Sequence, residues 1–287
     1  MRKFTTANPV NVLFFLFHRY QSLHGSSALL QWKRRDEFKL PRSELVDRIC
    51  RILILRRSNG VPDLSFNFSD DLVDAVLRKL RLNANACLEF FELASKQQHF
   101  RPHINSYCKI VHILSRGRMF DETRLYLNEL VGLCKNKNAG FMIWDELVRI
   151  YREFSFSPTV FDMILKVYAK KGLTKHALYA FDNMGKCGCL PSLQSCNSLL
   201  SSLVKNGERY IAFCVYDQMI RLGIVPDIYT YTIMVDAYCK DGRVIKAMEF
   251  VKEMKDLGFE PSAVTYHCLI NGHVELGIYK VLKRCWS

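Results

Sequence analysis

The chain has 287 residues, 49% of them hydrophobic, and 41 Lys+Arg against 28 Asp+Glu give it a formal net charge of +13. That length admits one large domain or two, and that charge favours nucleic acid or an anionic surface as partner without choosing between them. Eleven Cys would suggest a disulfide framework in a short secreted chain, but many fall inside helical patterns, which argues for thiols of a reducing compartment instead.

Residues 1–35 contain no Asp or Glu and carry Arg2, Lys3, Arg19, Lys33, Arg34 and Arg35 among Phe, Leu, Ser and Thr. A basic, acid-free segment of this kind reads as an organelle transit peptide, mitochondrial in the first place and chloroplast as the alternative. The rival is a secretory h-region at Val12–Phe17, a run closed by His18 and Arg19 and far too short to span a bilayer. Cleavage near residue 35 would remove 6 of the 13 net positive charges and leave about +7.

Residues 36–68 mix charge with Ser, Asn, Gly and Pro and read as a linker with one helix over 45–55. Divergent helical repeats are predicted over 69–157. In the first hairpin, Leu72, Val76, Leu77 and Leu80 share one helical face. In the second, 102–130, Tyr107 takes an aromatic slot, Thr123 an alanine slot and Arg118 the place of a turn glycine. Residues 134–157 break the register with a polar connector and a lone helix over 141–154, where Trp144, Leu147, Val148 and Tyr151 fall at helical spacing.

From 158 a strict period of 35 sets in. Gly172, Gly207, Gly242 and Gly277 are one series, and Ala177, Ala212 and Ala247 another; Met184, Met219 and Met254, Gly188, Gly223 and Gly258, and Pro191, Pro226 and Pro261 make three more. Phe161, Cys196, Tyr231 and Tyr266 share an aromatic or hydrophobic slot, and Cys196, Cys214, Cys239 and Cys268 stand where small buried residues are expected. The cleanest unit, 228–262, places Tyr231, Met234, Val235 and Tyr238 on one helix face and Ala247, Phe250, Val251 and Met254 on a second, split by Asp241-Gly242. A fixed period in this range means a solenoid of stacked hairpins, in which each unit buries its apolar face against its neighbours. The regular repeats run over 158–275. Residues 276–287 follow Gly277 without the Ala and Met landmarks and read as an incomplete final repeat, as in a truncated or alternatively spliced chain or a fragment.

The unit resembles the pentatricopeptide repeat, whose pattern is close to VTYNxLIxxxCKxGxxxEAxxxFxxMxxxGxxPD. TYTIMVDAYCKDGRVIKAMEFVKEMKDLGFEPS from Thr230 and SCNSLLSSLVKNGERYIAFCVYDQMIRLGIVPD from Ser195 match it along their length. The even 35-residue spacing is similar to the pure type of the family, known from plant organelles, and the resemblance extends over about 69–275. It implies an all-α fold, a right-handed α-solenoid of antiparallel helical hairpins. It also implies binding of single-stranded RNA at about one base per repeat, read by the fifth residue and the last residue of each unit.

Carried over residue by residue, the fifth positions are Asp162, Asn197, Thr232 and His267, and the last positions are Ser192, Asp227 and Ser262. Asn197 with Asp227 is the family's combination for uracil, and Thr232 with Ser262 leans towards a purine. The second positions, Thr159, Gln194, Tyr229 and Val264, would wedge between bases; Val264 fits the family preference, Tyr229 suits base stacking, and Gln194 departs from the pattern.

Independently of any family, Lys170, Lys205 and Lys240 are 35 apart and Arg116 holds the equivalent place in the earlier hairpin. Such a row would line one edge of a solenoid and track a phosphate backbone. The resulting expectation is a monomer that acts on organellar transcripts by occupancy, in processing, stabilisation or translation. Its partner would be single-stranded RNA, alongside other RNA-processing proteins, with no membrane, metal or cofactor. The alternative is a helical scaffold for protein partners, against which stand the 35-residue period, the Lys row and the lack of a W-x-x-L-G-x-x-Y pattern. No Gly-rich phosphate loop, HExxH or nucleophile elbow points to an enzyme. His273-Val274-Glu275 imitates the His-x-Glu of a zinc deaminase, but no Pro-Cys-x-x-Cys follows it.

Overall fold

The computed structural model describes residues 41–55, 68–133, 139–154 and 156–285. The transit peptide expected over 1–35, most of the linker and the polar connector at 134–138 lie outside them. The chain divides into two compact units, Met1–Phe68 and Ser69–Ser287. In the first, helix α1 (Arg42–Leu55) carries a buried stripe of Val46, Ile49, Cys50 and Leu53.

The second unit is all-α among the described residues. Two hairpins open it, α2 (Asp70–Leu80) with α3 (Ala84–Ser95) and α4 (Ile104–Arg116) with α5 (Phe120–Leu133), followed by α6 (Ala139–Phe154). The regular array consists of α7 (Thr159–Lys170) and α8 (Thr174–Asn183), α9 (Leu193–Lys205) and α10 (Arg209–Arg221), and α11 (Ile228–Lys240) and α12 (Val244–Asp256), with α13 (Ala263–Cys285) after them. The first helix of each regular unit packs on the first helix of the next, giving a solenoid of antiparallel hairpins.

The periodic landmarks are its packing points. Ala177, Ala212 and Ala247 and Met184, Met219 and Met254 are all fully buried: the alanines let helix backbones approach, and each methionine removes a flexible apolar chain from water, worth about 1.5–3 kcal/mol. In the aromatic slot, the Tyr231 hydroxyl donates to Glu253 at 2.9 Å, and the Tyr107 hydroxyl of the irregular hairpin donates to Glu129 at 2.7 Å. Both pairs are 22 residues apart, so the second hairpin keeps the geometry of the regular units.

The glycines close the turns. Gly172, Gly207 and Gly242 have φ of 69°, 79° and 75°, which frees the next N–H to bond five residues back: Leu173 to Tyr168 O, Glu208 to Leu203 O and Arg243 to Tyr238 O. Arg118 makes the same turn, with Met119 N–H donating to Leu114 O, but at φ 60° as a non-glycine.

Helix α13 continues through Gly277 to Cys285. Leu282 stands where the other units have a buried alanine, which removes the close-approach point a returning helix needs, and continued helix satisfies the backbone groups locally. Cys214 is exposed, whereas Cys196 and Cys239 are buried as expected and Cys268 is half-buried. Burial pushes the Cys196 thiol up to about 12, the behaviour of an inert core thiol.

Candidate nucleic-acid interface

The last residue of each regular unit is also the start of the next helix. Ser192 Oγ accepts from Ser195 N–H at 3.2 Å, Asp227 Oδ1 from Thr230 N–H at 2.9 Å, and Ser262 Oγ from Thr265 N–H at 3.4 Å. These are N-caps, and the position therefore favours Ser and Asp on structural grounds alone.

The same caps reach back to the fifth residue of their own unit. Asp162 accepts from Ser192, the backbone N–H at 2.7 Å and the hydroxyl at 2.9 Å. Asn197 Nδ2 donates to Asp227 Oδ1 at 3.0 Å. Thr232 and Ser262 meet through the Thr265 hydroxyl, which lies 3.2 Å from each. All three residue pairs that sequence reasoning joined across 30 positions are thus neighbours at helix starts.

At each junction the third residue of the following unit completes the cluster. Ser195, Thr230 and Thr265 are fully buried. Ser195 Oγ donates to the Asp162 carbonyl at 3.2 Å. Thr230 Oγ1 accepts from Asp227 N–H at 3.2 Å and lies 2.7 Å from Asn197 Oδ1. Burial pushes the Asp227 carboxyl upward, but the Thr230 N–H and the Asn197 amide donating to it outweigh that and hold it below the usual carboxylate range. Asp227 is an anion at neutral pH. These hydroxyls were missed from sequence, although their spacing of 35 was there to be seen.

Beside the middle junction an open groove of about 600 Å³ runs over α7, α9 and α11. Asn197, Asp227, Gln194, Tyr229, Lys170 and Lys205 all line it, joined by Lys166, whose ammonium donates to Gln194 Oε1 at 3.1 Å. The Tyr229 ring is 70% exposed. A second groove of about 310 Å³ shares Lys166, Lys170 and Gln194 and brings Thr159 and Asp162 opposite Phe120 and Arg124 of α5. The arrangement offers cations for phosphate, a fixed amide and carboxylate, and an open aromatic face, within one concavity. It holds no nucleophile beside a base, and no cluster of three or more metal-ligating side chains occurs among the described residues.

Other expected residues sit elsewhere. Lys240 is paired with Asp236 at 2.8 Å and is not part of the groove lining. His267 is exposed and lies 3.1 Å from Asn271 through its ring Nε2, and Val264 is 61% exposed on α13. The Arg116 guanidinium lies 6.0 Å above the Phe156 ring. In its hairpin, α6 packs over the face equivalent to the groove, where Asn105 donates to Glu146 at 2.6 Å and His112 Nε2 donates to Leu147 O at 3.0 Å, while the buried Lys109 pairs with Asp74 of α2.

The family models agree with this repeat geometry. The PPR repeat family matches residues 191–240 and 230–275, and the pentatricopeptide repeat domain matches 143–206. The chain belongs to the pentatricopeptide repeat family. It is 55% identical over 200 residues to a putative pentatricopeptide repeat-containing protein of Arabidopsis thaliana, covering 70% of this chain and 22% of that protein. It is 28% identical over 197 residues to a mitochondrial pentatricopeptide repeat-containing protein of the same plant, 67% of this chain and 37% of that one. The chain thus spans well under half the length of these curated relatives. A crystal structure of the pentatricopeptide repeat protein PPR10 in complex with an 18-nt psaJ RNA element is similar at 18% identity and TM-score 0.41, over 90% of this chain and 36% of that one.

Proposed function

We propose that the chain binds single-stranded RNA along the groove over α7, α9 and α11, reading about one base per regular repeat. The observation that carries this is the convergence of Lys166, Lys170 and Lys205 with the Asn197–Asp227 pair and the exposed Tyr229 in one open concavity. Ammonium groups neutralise phosphates, a flat ring stacks an unpaired base, and a fixed amide and carboxylate address a Watson–Crick edge. The middle junction reads uracil, and the Thr232–Ser262 junction reads a purine. Asp162, which accepts from Ser192, lines the adjoining groove and marks where the strand continues.

The groove binds and positions; the protein acts on transcripts by occupancy, protecting them, remodelling local structure or guiding other processing factors. Relatives named as mitochondrial support placing this activity in that organelle, in line with the basic, acid-free 1–35 segment.

The test is binding of the full chain to short single-stranded RNAs with each base at each position. Asn197→Thr is expected to move the preference at one nucleotide from pyrimidine to purine and leave the others alone, by about tenfold, the scale of one well-made base contact. No RNA binding at low salt would remove the proposal and leave the protein-scaffold reading; an unchanged base profile would remove the assignment of the pair.

A further inference from the structure

The buried hydroxyl at the third position of a unit has no place in the two-residue reading of each junction, yet it touches the reading residue at all three. At the middle junction the contact is the most direct. Asp227 Oδ1 accepts from Asn197 Nδ2, which orients the amide, since the reverse orientation would set two acceptors against each other. Asn197 Oδ1 then points at Thr230 Oγ1, 2.7 Å away, and Thr230 is fully buried. The single Thr230 hydroxyl proton has two acceptors in reach, Asn197 Oδ1 at 2.7 Å and Asp227 Oδ1 at 2.9 Å. Asp227 Oδ1 already accepts from Asn197 Nδ2 and Thr230 N–H, so the proton goes to the nearer amide oxygen and holds it inward. What Asn197 has left to offer the groove is its second Nδ2–H, a donor.

We propose that Thr230 is a specificity-determining positioning residue: by holding Asn197 Oδ1 inward it makes the junction select a base edge that accepts, and so favours uracil over cytosine. Uracil presents the O4 acceptor at the place where cytosine presents the N4 amino donor. Removing the hydroxyl leaves Oδ1 as a half-buried acceptor without its donor, a state that costs free energy until the amide turns to find another. Turned towards the groove, Oδ1 accepts from the cytosine amino group and the discrimination falls. Thr265 likewise touches the Thr232 hydroxyl, whereas Ser195 reaches only the Asp162 backbone carbonyl, so the orienting contact is most direct at the middle junction.

This inference rests on the RNA-reading proposal, and the experiment separates the two. Full-length protein is titrated with single-stranded RNAs that differ only by uracil or cytosine at the nucleotide identified by Asn197→Thr. The readout is the ratio of the two dissociation constants, which is independent of the fraction of active protein. The wild type is expected to favour uracil by about tenfold, with Thr230→Val and Thr230→Ala reducing this to about twofold or less and Thr230→Ser retaining it. Valine preserves the shape of the side chain, and the Asp227 cap on the backbone N–H of residue 230 survives in every variant. If Asn197→Thr shifts the base preference while Thr230→Val and Thr230→Ala keep the wild-type ratio, the inference fails and the pair assignment stands. Should neither position alter base preference, both fail together.

Discussion

Ser192, Asp227 and Ser262 each carry two duties in one side chain, capping a helix and bonding to the reading residue of their own unit, Ser262 doing so through the Thr265 hydroxyl. Only short side chains with an oxygen can do both, which is why this position reads as conserved chemistry along the array even where the base preference changes. The cations divide differently. Lys205 lines the groove, whereas Lys240 is drawn aside by Asp236 on its own helix, although the two hold the same place in the period. Lys205→Ala is therefore expected to weaken RNA binding at all sequences and lower the slope of log affinity against log salt by about 0.7, the value for one phosphate contact on a single strand. Lys240→Ala should change that slope by clearly less. Salt titrations of both variants check this, and equal slopes would return Lys240 to the phosphate track.

At the level of elements, the turn between the two helices of a unit demands a left-handed residue. Glycine meets that demand at 172, 207 and 242, and Arg118 meets it at φ 60° against its Cβ. The turn forms all the same, because the Met119 N–H to Leu114 O bond and the packing of α5 on α4 outweigh the local cost. Arg118→Gly is expected to stabilise the hairpin by about 1 kcal/mol, a rise of a few degrees in melting temperature. Arg118→Ala, which keeps the Cβ, should give no such gain in the same melts. The unbroken α13 is the complementary case: Gly277 permits a turn but does not impose one, and the helix continues through it.

Over the whole molecule, α6 joins the irregular hairpins to the regular array. His112 of α4 donates to Leu147 O of α6 and stacks with Tyr151 and Phe156, while Trp144 packs on Phe161 of α7 and Tyr179 of α8. Burial drives the His112 imidazole down to about 4, against the smaller opposing pull of the Leu147 carbonyl. The unfolded chain, with an ordinary histidine near 6.5, binds this proton first as pH falls, so stability present at pH 7 is lost progressively between about 6.5 and 4. From pH 7 to 5 this one group should remove about 2 kcal/mol. Denaturant unfolding at the two pH values is expected to show that loss in the wild type and a smaller one in His112→Leu; equal losses would mean the ring is not held neutral in the fold.

The helical hairpins were legible because they depend on spacing, and a solenoid repeats the same local contacts at each spacing; the residue pairs that meet at each junction came from the family resemblance. What could not be read was which members of a periodic row share a surface. Lys166 has no counterpart in the row, since Ser201 and Asp236 hold the next two places, yet it lines the groove. Arg116 is in the row, and its guanidinium lies over the Phe156 ring away from the groove.

The sequence alone determined the helices, their turns and the side chains available at each repeat position, because helix periodicity, caps and positive-φ glycines act within a few residues of one another. Tertiary structure alone decided that Asn197 keeps its oxygen inward on Thr230, that Gly277 stays helical and that the groove opens beside α9. Those outcomes depend on which neighbours complete a hydrogen bond or cover a face, and such neighbours come together only through packing.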